Sequence, residues 1–360
     1  RFDHTNFNEL DIVWKYEGQS GKITDLDLAP REKGDLTVSA TNWEAGKNLN
    51  IQFISKDTFL IDEYNLLIGE RETELPELQK GELTVEDTGD VIQIRNGNNN
   101  IAFDKNTGLI KEIKSGNEIL IKSGPYLNLL LTDDKSKGDG STVINDYAKN
   151  WKCTGFNYET KDGICTVNTK GLYAGISVSF VIQTDKNGTL KMDYFIDNIP
   201  LNKRVQELGI KFITGDAFTK LSWDRNAYFT ACPENHIGNP QGEVDLNYKP
   251  SMTYREYPDH AWAYDTKNFH YFGLDTTLAL NNISRSMKEN IYFYSLKLAN
   301  GEGLTVLDDG QNACRYDKAG DDFILYINHL WDYTGIGWGN YYKNIPTQIT
   351  YSAGITLNLN

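Results

Sequence analysis

Residues 176–196 constrain this chain more than any other stretch. Ile176, Val178, Phe180 and Ile182 alternate with Gly175, Ser177, Ser179 and Val181, and the same period resumes at Leu190, Met192, Tyr194 and Ile196. A period of two places successive side chains on opposite faces of a strand. Between the runs lies Asp185-Lys186-Asn187-Gly188, a turn sequence that suits a tight hairpin. Strand, turn, strand is therefore the expected local unit.

That unit recurs. Strand patterns run over Val91–Arg95, Ile101–Phe103, Leu109–Ile113, Phe269–Leu280, Ile291–Leu298, Leu304–Leu307 and Phe323–Ile327. Their punctuation is Asn96-Gly97, Thr107-Gly108, Ser115-Gly116, Asn300-Gly301 and Asp309-Gly310. No apolar repeat of helical period is sustained beyond about three turns. The expected fold class is all-β.

The chain has 360 residues, which points to two domains, although large β-sandwiches exceed ~200 residues as one unit. Ile12–Val13, Ile23–Leu28, Leu36–Ala40 and Leu49–Ile54 read as strands of a small immunoglobulin-like sandwich over residues 1–70. Residues 71–82 are charged and broken by Pro76, as a linker is. Residues 83–360 then read as one large two-sheet sandwich.

With 36 Lys+Arg against 50 Asp+Glu, the formal charge is -14. Nucleic acid and anionic membrane surfaces are disfavoured partners, and a neutral ligand is expected. No apolar run approaches the ~18 residues that span a bilayer. The chain starts at Arg1 without Met or a signal sequence, and so reads as a mature product or an excised piece of something larger. Cys153, Cys165, Cys232 and Cys314 lack metal or disulfide-scaffold spacing and read as free thiols. The hairpin turn at Lys161-Asp162-Gly163 would pair Cys165 with a residue near Tyr158 and leave Cys153 out of register. No metal or cofactor is expected.

The candidate functional segment is near the end, His329-Leu330-Trp331-Asp332-Tyr333-Thr334-Gly335-Ile336-Gly337-Trp338-Gly339-Asn340-Tyr341-Tyr342, whose aromatics either meet a ligand or cover the edge of a β-sandwich. Three glycines within five residues require a loop. Trp338, Tyr341 and Tyr342, with the Asn340 amide, suit a sugar ring, whose C–H face packs on aromatics and whose hydroxyls need fixed partners.

Asn99-Asn100-Ile101-Ala102-Phe103-Asp104-Lys105-Asn106-Thr107-Gly108, followed by Glu118-Ile119-Leu120 and Gly124-Pro125-Tyr126-Leu127-Asn128-Leu129, resembles the opening of the C-terminal small-chain domain of family 2 β-galactosidases. His329-Leu330 before Gly335-Ile336-Gly337 is similar to the end of that family. Asn8–Glu17 with Leu28-Ala29-Pro30 is similar to the immunoglobulin-like domain that precedes the small chain. The resemblance implies an immunoglobulin-like domain, then a galactose-mutarotase-like sandwich, from a retaining glycoside hydrolase acting on β-galactosides or related glycosides. It implies a soluble bacterial protein of the cytoplasm or periplasm, and leaves a homo-oligomer open. Both catalytic carboxylates would lie on a (β/α)8 barrel preceding Arg1, and eight strand–helix units are absent from this sequence. The chain would buttress that barrel and supply a wall for the sugar from Trp338 or Tyr342.

The sequence also departs from the family. Trp223 and Pro233-Glu234-Asn235 match its mid-domain segment, whereas the glycines of that segment do not. Trp223, Arg225, Glu234 and His236 are secondary site candidates. Glu234 and His236 would serve as acid and base only in a mutarotase-like epimerase; a hydrogen-bonded loop tied down by a salt bridge is the favoured reading, because no spaced pattern here supplies the second His of a mutarotase. Tyr257-Pro258-Asp259-His260-Ala261-Trp262 is a further aromatic segment, explained equally by packing. A free-standing carbohydrate-binding module is the other reading.

Overall fold

The computed structural model describes residues 6–24, 26–71, 73–133, 144–227, 239–246, 287–332 and 343–359. Among them there is no α-helix, and hence none long and apolar enough to cross a membrane. A single 3-10 turn, Phe7–Glu9, is capped by Asn6. All strand pairing is antiparallel, as the alternation predicts. The chain divides into two compact units, with residues up to Glu74 in the first and the described residues from Leu75 onward in the second.

The first unit holds β1 (Leu10–Tyr16), β2 (Gln19–Ile23), β3 (Asn48–Ser55) and β4 (Leu60–Leu67), in the order β2-β1-β3-β4. Ile12, Trp14, Tyr16, Leu49, Ile51 and Phe53 form its core. Gly21 leaves room for the Trp14 indole on the neighbouring strand, where a Cβ would stand 2.7 Å from Nε1. Two expectations are corrected here. Beyond Ile23 the expected second strand does not continue, and Leu36–Ala40 is not a strand. Leu26, Leu36, Val38 and Ala40 nonetheless pack on the core. Alternating apolar residues record which side faces the core; they do not by themselves supply a backbone partner. β4 was not anticipated, because at the sheet edge Leu60, Leu66 and Leu67 are exposed.

The second unit opens with β5 (Thr84–Asp87), β6 (Val91–Asn96), β7 (Asn99–Asp104), β8 (Leu109–Ser115), β9 (Glu118–Thr132) and β10 (Ile144–Asp146). Next come β11 (Trp151–Lys161), β12 (Ile164–Tyr173), β13 (Ile176–Thr184), β14 (Thr189–Asp197), β15 (Arg204–Thr214), β16 (Lys220–Arg225) and β17 (Gln241–Asp245). The last are β18 (Lys288–Glu289), β19 (Ile291–Lys297), β20 (Gly303–Leu307), β21 (Ala313–Ala319), β22 (Asp322–Trp331) and β23 (Thr350–Leu359). Among the described residues, one sheet has ten strands, ordered β18-β21-β22-β15-β9-β8-β7-β6-β5 with β10 on β9. The other has nine, ordered β11-β12-β13-β14-β23-β20-β19-β16-β17. Their inner faces share one apolar core, from Ile92, Leu127 and Ile327 on the first sheet to Phe180, Tyr294 and Leu357 on the second.

The β13–β14 hairpin forms as its period demands. Ile182 faces Met192, Phe180 faces Tyr194 and Val178 faces Ile196, all buried. Asp185 closes the turn by accepting the Asn187 and Thr189 amides at 2.9 Å, and Gly188 takes φ +81°. Cys165 pairs with Thr160, two residues from the partner expected, and Cys153 pairs with Gly171; both thiols are free, as is Cys314. The expected strand Phe269–Leu280 and Cys232 lie outside the described residues.

Candidate functional site

Trp338, Asn340, Tyr341, Tyr342, Glu234, His236 and the segment Tyr257–Trp262 also lie outside the described residues. What the structure describes is the base from which the aromatic segment departs. At the end of β22, Asp332 is buried, and its carboxylate accepts the backbone amides of Lys343 at 2.8 Å and Asn344 at 2.7 Å. The Asp332 amide donates to the Gln206 carbonyl at 3.0 Å, and the Gln206 side chain donates back to the Asp332 carbonyl. The Asp332 carboxylate thus joins the two ends of residues 333–342, and the Asp332 backbone fastens to Gln206 of β15. Beside it, the Lys343 ammonium stands 4.3 Å over the Trp331 ring, whose Nε1 donates to Glu289.

The face of the ten-stranded sheet that points away from the core continues inward from this clamp as a buried polar network. Gly209 on β15 is paired with Asn128 on one side and Asn328 on the other. It carries no side chain, so the two amides meet above it, Asn128 Nδ2 donating to Asn328 Oδ1 at 2.9 Å. The same Nδ2 donates to Glu207 Oε2 at 2.6 Å. Arg315 approaches from β21 and grips both Glu207 oxygens, Nε to Oε1 at 3.2 Å and Nη2 to Oε2 at 3.1 Å. Its Nη1 donates to Asp317 at 3.2 Å, and its guanidinium lies 3.5 Å over the Tyr326 ring. Arg315, Glu207 and Asp317 are all buried. The bidentate fork fixes the carboxylate in place. Both Glu207 oxygens are thus held by donors from Arg315 and Asn128. The network is built to hold shape.

Trp223 and Arg225 are brought together at the end of β16. Both donate to the Asn239 carbonyl, at 3.1 Å from Nε1 and 3.2 Å from Nε. Trp223 is buried in the core against Gly242, where a Cβ would collide with the indole. Lys288, fully buried, sits with its Nζ 4.8 Å from that ring, and burial pushes its pKa well down, helped by the charge of Arg225.

His329 joins the two sheets. Its Nε2 lies 3.0 Å from the Gly354 carbonyl, and its Nδ1 lies 2.8 Å from the Tyr194 hydroxyl. A carbonyl only accepts, so Nε2 carries the proton and Nδ1 accepts from Tyr194. Burial lowers the His329 pKa, in keeping with a neutral ring.

Sequence reasoning missed Glu207, Arg315, Asp317, Asn128, Asn328, Tyr326 and Lys288. One signal was present: Arg315 and Asp317 alternate with the core residues Cys314 and Tyr316, which places two charges on the same face of the strand.

No family model and no curated protein matches the chain. Among solved structures it is similar to an α-mannosidase from Enterococcus faecalis V583, at 12% identity and TM-score 0.44 over 98% of this chain and 36% of that one. It is also similar to a glycoside hydrolase family 97 enzyme from Pseudoalteromonas sp. strain K8, at 9% identity and TM-score 0.35 over 78% of this chain and 35% of that one. A third is galactose 1-epimerase from Lactobacillus acidophilus NCFM, at 8% identity and TM-score 0.34 over 79% of this chain and 99% of that one. The chain spans about a third of the length of the first two. At these TM-scores the likenesses carry no argument, and the all-β assignment rests on the strand ladders described above.

Proposed function

We propose that this chain is the C-terminal, non-catalytic portion of a β-galactosidase-like retaining glycoside hydrolase acting on terminal β-glycosides. In this reading an immunoglobulin-like module spans residues 1–70, a linker 71–82, and a mutarotase-like sandwich 83–360. The sandwich buttresses a catalytic barrel and presents Trp338, Asn340, Tyr341 and Tyr342 to the sugar. The observation that carries the proposal is the Asp332 clamp. A glycine-rich aromatic segment is closed at its base by a buried carboxylate and rooted on a rigid charged network. Binding loops are held on scaffolds in this way.

Two further features support it. The buried Glu207 is committed to Arg315 and Asn128, so the acid and nucleophile that retention needs would come from the barrel. In the first unit, Phe59, Leu60, Leu66 and Leu67 at the β4 edge are exposed, an apolar edge of the kind a neighbouring domain covers.

The test has two parts. Purified chain is expected to hydrolyse no aryl β-galactoside; turnover abolished by a substitution within these residues refutes the reading. In the intact parent, Trp338→Ala should weaken substrate binding and slow turnover with the melting temperature nearly unchanged.

A further inference from the structure

The opposite face of the sandwich differs in character. On the nine-stranded sheet, β13, β14, β23, β20, β19 and β16 lie side by side, and every second residue points away from the core. Two clefts open there. The first, of about 410 Å³, spans β13, β14 and β23 and is lined by Phe195, Asp193, Ser179, Ser352 and Gly354. Phe195 is 46% exposed. Gly354 keeps the floor open, since a Cβ there would stand 2.7 Å from Asp193 Oδ1.

The second cleft, of about 210 Å³, spans β20, β19 and β16 and is lined by Phe293, Ser222, Ser295, Thr305, Lys297 and Gly303. Ser295 and Thr305 share a hydroxyl–hydroxyl bond of 2.8 Å, and Lys297 meets Glu243 at 3.1 Å. The Ser222 hydroxyl is buried and has no hydrogen-bond partner. Each cleft therefore has the same parts: an aromatic ring, hydroxyls, a carboxylate within or beside it, and a glycine that removes a side chain from the floor. A cross-strand row, Ser222, Ser295, Thr305, Asn358 and Thr189, runs in register from the second cleft to β14, which it reaches four residues from Asp193 of the first. Asn358 Oδ1 on that row is likewise buried without a partner.

We infer that this face is a glycan-binding surface that takes a neutral oligosaccharide laid across the strands from β14 to β19. The two rings stand on strands three spacings apart, and Phe293 is in register with Lys191, four residues along β14 from Phe195, so the rings are about 20 Å apart, too far for one sugar and suited to a short chain. Aromatic rings pack on the C–H faces of pyranose rings, while interspersed hydroxyls, amide and ion pair offer both donors and acceptors to sugar hydroxyls. Lys297 is balanced by Glu243, and the chain as a whole carries -14, so an acidic glycan would be repelled. The surface is separate from the Asp332 clamp, which stands at the end of β22 on the other sheet, and it stands whether or not a catalytic barrel precedes this chain.

The experiment is calorimetric titration of the full 360-residue chain with β-1,4-galactotetraose, cellotetraose and xylotetraose, with tetragalacturonate as the acidic control. At least one neutral tetraose should bind, and tetragalacturonate should not. Phe195→Ala and Phe293→Ala should each weaken binding about tenfold with the melting temperature held. Phe59→Ala, which removes an exposed ring of the first unit, should leave tetraose affinity intact. The inference is overturned if no neutral tetraose binds, or if binding survives both phenylalanine substitutions in folded protein. It is equally overturned if Phe59→Ala weakens binding as much as the two cleft substitutions do.

Discussion

The outer faces of the two sheets of the second unit solve opposite problems with the same backbone geometry. On the ten-stranded sheet the polar groups are charged and buried. Arg315 therefore ties Glu207 and Asp317 together, and Asn128 bridges Glu207 to Asn328. On the nine-stranded sheet the clefts are lined mainly by neutral hydroxyls, the exposed Phe195 ring and the half-buried Phe293 ring, and among the described residues at least one hydroxyl, Ser222, is left without a partner. A buried charge tolerates no unmet partner, so the Arg315, Glu207 and Asp317 charges on the first face are all paired, and the atom of that network left unmet is the neutral Asn328 Nδ2. A neutral hydroxyl beside an open cleft costs little to leave waiting, so the second is free to receive a ligand.

The largest test of this contrast is Arg315→Met. It strands Glu207 and Asp317 in the interior and should cost about 3–5 kcal/mol, read as a lowered urea midpoint at unchanged slope. Adding Glu207→Gln and Asp317→Asn should recover most of that loss. A cost below about 1 kcal/mol would mean that the network behaves like a surface ion pair, and the contrast would fail.

Asp332→Ala comes next. It leaves the Lys343 and Asn344 amides unmet, at about 2–3 kcal/mol for bonds to a charged acceptor, measured by the same denaturation. An unchanged midpoint would dissociate the clamp from the rigid face.

His329 gives a pH-dependent effect. Its folded pKa is depressed, so the unfolded chain takes up its proton first as pH falls. The bridge between the sheets is at full strength above the unfolded value of about 6.5. It weakens as pH drops from there through the lower folded value. His329→Gln should flatten that part of the stability–pH curve; if the slope persists, another group causes it.

The smallest effect on stability belongs to Phe195→Ala. Nearly half exposed, the ring should contribute within about 0.5 kcal/mol to folding while being needed for glycan binding. A larger melting shift would make Phe195 a packing residue.

The β13–β14 hairpin was legible from its own residues, because both strands and the turn lie within a short span and each signal is local. Strands β9 and β15 were harder to read. Gly124-Pro125 interrupts β9 in the manner of a break, and register shifts in β15 disturb its alternation. β4 hides its strand character behind exposed leucines at the edge of the sheet. The Arg315 network had almost no signature. Asn128, Glu207, Arg315 and Asn328 are separated by up to 200 positions and meet only when four strands align.

The amino-acid sequence by itself determined the fold class and the inner face of each strand in the period-two runs. The period of two sorts apolar from polar side chains before any tertiary contact exists. Tertiary structure alone decided which polar residues stand together. Register sets Gly209 between Asn128 and Asn328 and puts Asp332 under the ends of the aromatic segment. It also aligns Ser222, Ser295 and Thr305 across three strands. A strand's own residues specify its faces, but its partner and register depend on the whole core closing at once.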